Sequence, residues 1–151
     1  MTMKDKIFID TNILVYAADA DDAFNARVKE AFKDILEKYE PWISRQILRE
    51  YAVVVSRKEY LEKPIEPSEI VQDIIKWERI FNVIDETQDI TDNLMKLITK
   101  YNLKGKRIHD ANIVASMMRH EISLLFTFNV KDFQAFEEIR LIGIPPQGDI
   151  E

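Results

Sequence analysis

Apolar positions along the chain fall into two rhythms. Lys6-Ile-Phe-Ile-Asp10 and Leu124-Leu-Phe-Thr-Phe128 are short apolar runs without polar alternation. That is the pattern of strands covered on both faces, and hence of a parallel sheet. Between them, apolar residues recur at helical spacing: Phe24, Val28, Phe32, Ile35 and Tyr39; Ile47, Leu48, Tyr51, Val54 and Val55; Ile70, Ile74, Trp77 and Phe81; Leu94, Leu97, Ile98 and Tyr101. Each stripe predicts an amphipathic helix with one inward face. The stretch from Ile108 to Met118 is apolar nearly all round and predicts a deeply packed helix. Trp42-Ile43, Phe81–Ile84 and Ile139–Ile142 supply further short strands. Strands separated by one or two helices imply right-handed crossovers, and so an α/β fold: a three-layer α/β/α sandwich around a mostly parallel central sheet. Such sheets place ligands at the carboxyl ends of their strands. Here the first strand ends in Asp10, and the 124–128 strand runs straight into Asn129 and Asp132.

Composition narrows the chemistry. The chain has 151 residues, no repeat and no Gly/Ser linker, which suits a single domain over 1–151 with 143–151 as a loose C-terminal tail. A net charge of −6 excludes a surface coated in base, so any basic contact surface is local. Cysteine is absent, which removes disulfides, zinc ribbons and thiol catalysis and suits a reducing, cytoplasmic setting. The glycines at 105, 143 and 148 spell neither nucleotide-cradling motif. No apolar run approaches the roughly 20 residues of a membrane span. What remains is carboxylates, hydroxyls, amides and a cation that carboxylates can hold.

Four acids stand where a site would form. Asp10 ends an apolar strand, though Asp10, Thr11 or Asn12 would equally cap the helix that follows. Glu50 borders an apolar stripe and has no basic residue at i±3 or i±4 to pair with it. Asp110 opens the deeply packed helix, where it either serves a site or complements the helix's positive end beside Lys106 and Arg107. Asp132 follows a strand, but Asn129-Val-Lys-Asp132 also fits a capping-box-like turn.

In order and setting, these acids resemble the PIN domain, a metal-dependent nuclease family. The matching segments are Ile7-Phe-Ile-Asp-Thr-Asn-Ile-Leu-Val-Tyr-Ala17, Ser44-Arg-Gln-Ile-Leu-Arg-Glu-Tyr51, His109-Asp-Ala-Asn-Ile-Val-Ala115 and Leu125-Phe-Thr-Phe-Asn-Val-Lys-Asp-Phe133, which span nearly the whole chain. Within the family, the length and the Thr127–Phe133 stretch look like VapC-type toxins of toxin–antitoxin pairs. The resemblance implies that Asp10, Glu50, Asp110 and Asp132 hold Mg²⁺ or Mn²⁺ as the catalytic set, with Asn12, Thr127 and Asn129 lining or supporting it. It further implies endoribonuclease activity on RNA, a small antitoxin protein as partner, and a homodimer. Asn129 stands where some relatives carry another acid, so the number of ions is one or two.

A cluster of this kind carries its own energetics. Two carboxylates about 5 Å apart repel by roughly 3 kcal/mol at an effective dielectric near 20. Four converging acids therefore need a cation, or they protonate with raised pKa values. Oxygen-only ligation suits a hard ion such as Mg²⁺ or Mn²⁺. A polyanionic substrate then calls for a basic rim, for which Arg45, Arg49, Lys104, Lys106, Arg107 and Lys131 lie close in sequence. Taken singly, each reads first as a solvated surface charge. Asp19-Ala-Asp-Asp22 reads as a solvated turn, Asp85, Glu86 and Asp89 as helix caps, and Trp77 with Phe81 as core. His109, beside Asp110, reads either as a group that tunes it or as a buried histidine. Two alternatives to the nuclease are a metal-dependent phosphatase and a non-catalytic RNA- or protein-binding module with an acidic pocket.

Overall fold

The computed structural model describes residues 3–20 and 22–143. Most of the tail expected over 143–151 lies outside them, as does Asp21 of the expected acidic turn. Five short strands form the centre: β1 (Lys6–Ile9), β2 (Glu40–Ser44), β3 (Asn82–Ile84), β4 (Leu124–Thr127) and β5 (Arg140–Gly143). Their order is β3-β2-β1-β4-β5, and every pairing is parallel. The expected mostly parallel sheet is thus parallel throughout the described residues. Among those residues, no helix is long and apolar enough to cross a membrane.

The chain leaves β1 for β2 and β3 on one side, then crosses back to β4 and β5 on the other. Two helices fill each long crossover: α1 (Thr11–Ala18) and α2 (Asn25–Lys38), α3 (Arg45–Val55) and α4 (Pro67–Ile80), and α5 (Gln88–Tyr101) and α6 (Arg107–Arg119). The short α7 (Val130–Phe133) joins β4 to β5. Right-handed crossovers running in opposite directions put helices on both faces. In keeping with this, α1 packs on α2 and α3, whereas α5 packs on α6.

The periodicities explain these elements. β1 and β4 are central, and Ile7, Phe8, Ile9, Leu125 and Phe126 are buried, which is why their sequences show no polar alternation. α3 buries Ile47, Leu48, Tyr51 and Val55, and α6 buries every residue from 113 to 117. Pro67 opens α4 at a position where its missing N–H costs nothing. Asn102 closes α5 in the left-handed conformation that asparagine tolerates. Gly105, at φ 61°, then turns the chain into α6.

One expectation about caps is corrected. The N-cap of α5 is Thr87, and Asp85, Glu86 and Asp89 are engaged elsewhere. Asp85 and Asp89 pair with Arg45 and Arg119 at 3.0 and 2.6 Å, and Glu86 accepts from Asn112 at 3.2 Å. Tertiary cations outbid the local cap.

Between β1 and β4 the strand order reverses, because successive connections leave the sheet in opposite directions. A crevice opens beyond the carboxyl ends of two such strands. The chain delivers Asp10 and Thr127 to that place.

Candidate active site

The first acid is positioned by backbone. The Asp10 N–H donates to the carbonyl of Phe126 at 3.0 Å, extending the β1–β4 pairing by one residue. Asp10 is also the N-cap of α1, with Oδ1 accepting from the Thr11 N–H at 2.8 Å. Capping and facing the crevice are therefore done by one carboxylate, not divided between neighbours. Its other oxygen, Oδ2, accepts from the Thr127 hydroxyl at 2.7 Å. That hydroxyl in turn accepts from the Asn129 N–H at 2.9 Å.

The second acid comes from α3. Glu50 Oε1 accepts from the Thr11 hydroxyl and Oε2 from Gln46 Nε2, both at 2.9 Å. Gln46, one turn earlier on the helix and 2% exposed, also donates to the His109 carbonyl at 3.0 Å and accepts from Asn112 at 2.7 Å. It thus ties α3 to the start of α6, which carries the third acid, Asp110. Asp110 lies 3.7 Å from the Arg107 guanidinium.

Asp10, Glu50 and Asp110 line one cleft of about 810 Å³ at the crevice. Burial pushes the Asp10 carboxyl up to about 6, and the Glu50 and Asp110 charges add to the rise, against the opposing hydrogen bonds from Thr127 and Thr11. Burial also raises Asp110 to about 6; Asp132 and Glu50 add to this, and Arg107 opposes it. The cluster holds more negative charge than its surroundings neutralise.

Asp132 stands apart. It is exposed on α7, does not line the cleft, and acts on Asp110 through its charge. Among the described residues, no three Asp, Glu or His side chains are grouped as a ready-made metal site. The donor set nevertheless fits a hard divalent ion in its chemistry, since it is all oxygen and electrostatically under-compensated.

The PIN domain family matches residues 7–139. The chain belongs to that family. Its fold resembles those of Rickettsia felis VapBC2 bound to a DNA fragment from its promoter (TM-score 0.70, 18% identity, covering 92% of this chain and 98% of that one) and Mycobacterium tuberculosis VapC20, a Sarcin-Ricin loop cleaving toxin (TM-score 0.68, 19% identity, 89% and 98%). A toxin–antitoxin complex from Klebsiella pneumoniae is similar at TM-score 0.62 with 26% identity over 89% of this chain and 95% of that one. No curated protein sequence matches significantly.

The supporting residues of this PIN domain divide by task. Asn12 accepts from the Phe128 N–H at 3.2 Å, tying α1 to the loop after β4, while its own buried amide nitrogen has no hydrogen-bond partner among the described residues. Asn129 lines the cleft. Of the candidate cations, Arg49 and Lys106 line the cleft. Arg107 is held by Asp110 and by a hydrogen bond to the Asp132 carbonyl. Arg45 points elsewhere, paired with Glu78 at 2.6 Å and Asp85 at 3.0 Å. Lys131 is exposed and lies outside the cleft lining.

Sequence reasoning left out several lining residues. Asp19 and Asp22, expected in a solvated turn, stand on the cleft wall, and Asp22 also accepts from the Phe24 N–H at 2.7 Å. His109 is exposed at the cleft and not buried. Gln46, a polar residue inside the apolar stripe of α3 at i−4 from Glu50, was the available signal for the brace beneath that acid. Arg57 and Tyr60, in the turn after α3, also line the cleft.

Proposed function

We propose that this PIN domain is a divalent-metal-dependent endoribonuclease, the toxin of a toxin–antitoxin pair acting in the cytoplasm. One observation carries the reading: Asp10, Glu50 and Asp110, far apart in sequence, line a single cleft at the point where the strand order reverses. In this reading the three hold Mg²⁺ or Mn²⁺, and Asp132 joins them from α7 through its charge on Asp110. An ion there supplies Lewis-acid polarisation of a phosphodiester and acidifies water.

The chain's own residues do the rest. Thr127 and the Thr11 N–H orient Asp10, and Gln46 with the Thr11 hydroxyl orients Glu50. Arg49 and Lys106 at the rim meet substrate phosphates. Likeness to a Sarcin-Ricin loop cleaving toxin supports RNA as the substrate, and likeness to VapBC2 and to a toxin–antitoxin complex supports an antitoxin partner. A homodimer is the assembly proposed with it.

The test is cleavage of total RNA by wild type and Asp10→Asn in Mg²⁺, Mn²⁺ or EDTA. Cutting by wild type alone, and only with metal, is expected; equal cutting by both proteins overturns the mechanism. Release of phosphate from p-nitrophenyl phosphate would favour a phosphatase instead. Tight RNA binding without any cleavage would favour a binding module.

A further inference from the structure

The cleft extends beyond the acids. Its wall carries Arg49 and Val53 at i and i+4 on α3 and, past the last helical residue Val55, Arg57 and Tyr60. Val53 is 48% exposed and Tyr60 59% exposed, large side chains left open to water in the same cleft as three carboxylates. The turn beneath Tyr60 is well anchored. The N–H groups of Tyr60 and Leu61 both donate to the Arg57 carbonyl at 3.1 Å, Leu61 is buried, and the Ile65 N–H donates to the Val55 carbonyl at 2.8 Å. The Arg57 guanidinium lies 5.5 Å from the Tyr60 ring centroid.

Both arginines are available to anions. Among the described residues, Arg57 pairs with Glu59 at 3.4 Å and Arg49 with Glu86 at 3.9 Å, each an exposed contact of little strength. Arg49 lies within α3 and Arg57 two residues past its end, and both line the cleft. The Trp77 and Phe81 pair offers no competing platform, since each is 5% exposed and in the core.

We propose that Tyr60 is a base-stacking platform. Single-stranded RNA with its scissile phosphate at the acids runs outward along α3, its backbone against Arg49 and Arg57 and one unstacked base on the Tyr60 ring. This rests on the nuclease reading above. Stacking on an aromatic ring tolerates any base, and the neighbouring guanidinium adds a cation–π contribution. Tyr60 would therefore set affinity and the footprint of the strand more than the identity of the base.

The experiment is steady-state cleavage of a short single-stranded RNA by wild type, Tyr60→Phe and Tyr60→Leu, with an abasic nucleotide moved along the substrate. Tyr60→Leu is expected to raise KM about tenfold, the effect of losing one base–aromatic stack, with the smaller change in kcat. Tyr60→Phe should behave as wild type. At one position the abasic substitution should cost wild type a similar factor and cost Tyr60→Leu nothing more. Leucine equal to tyrosine, or abasic losses that simply multiply with Tyr60→Leu at every position, overturns the platform and leaves the wall to an apolar partner segment. Wild type that neither cuts nor binds the RNA overturns the nuclease reading and the platform with it; wild type that cuts, with an unchanged KM for Tyr60→Leu, overturns the platform alone.

Discussion

The Thr127 hydroxyl donates to Asp10 Oδ2 at 2.7 Å, joining residues 117 positions apart in the chain. Adjacent parallel strands make this possible, because the register that pairs Ile9 with Phe126 places the next residues of both strands side by side. The bond opposes the burial that pushes Asp10 up to about 6.

Replacing Thr127 by Val should therefore raise the Asp10 pKa further and move the acid limb of the cleavage pH profile upward. It also leaves the Asn129 N–H without its acceptor, at a stability cost of about 1–3 kcal/mol. Thr127→Ser should restore both. The pH–rate profile and denaturant midpoints of the three proteins check this.

Asp10 is an acid whose folded pKa exceeds its unfolded value, so ionisation opposes folding. The penalty is absent below the ordinary value of 3.8, grows as pH rises to about 6, and is constant above that. At neutral pH without metal it is on the order of 3 kcal/mol for this buried group. Asp10→Asn should thus be inactive yet more stable than wild type at pH 7.5 in EDTA, and the gain should vanish near pH 3.5. Urea unfolding at the two pH values measures it, and a loss of stability at pH 7.5 would contradict the account.

Gln46→Leu removes the brace between Glu50, the His109 carbonyl and Asn112. Buried polar groups left unpaired cost about 1–3 kcal/mol. Cleavage should fall tenfold or more as Glu50 loses its orientation. Calorimetry and a cleavage time course on the same preparation separate the two effects.

How legible all this was in the sequence depends on the range of the forces involved. β1 and β4 are readable because burial on both faces leaves a continuous apolar signature. β2 is longer than its Trp42-Ile43 core suggests, because Glu40 and Ser44 are held by pairing with Lys6 and Ile84 and not by hydrophobicity. That Asp10, Glu50 and Asp110 line one cleft was anticipated from position, at a strand end, the edge of an apolar stripe and a helix start, whereas Asp132 does not line it. The cations were not readable in this way. Arg45 is a near neighbour of Glu50 in sequence, but its partners Glu78 and Asp85 come from α4 and the end of β3. No local pattern reports such pairings. Tyr60 lies past the end of α3, where helical periodicity no longer indicates direction.

The central claim is that Asp10, Glu50 and Asp110 share a divalent ion. Its most direct test is the rise in melting temperature of wild type and Asp10→Asn on adding Mn²⁺, since an ion that binds only the folded state stabilises it in proportion to its affinity. A rise for wild type that is largely lost in Asp10→Asn is the expected result. Equal rises for the two proteins would contradict it.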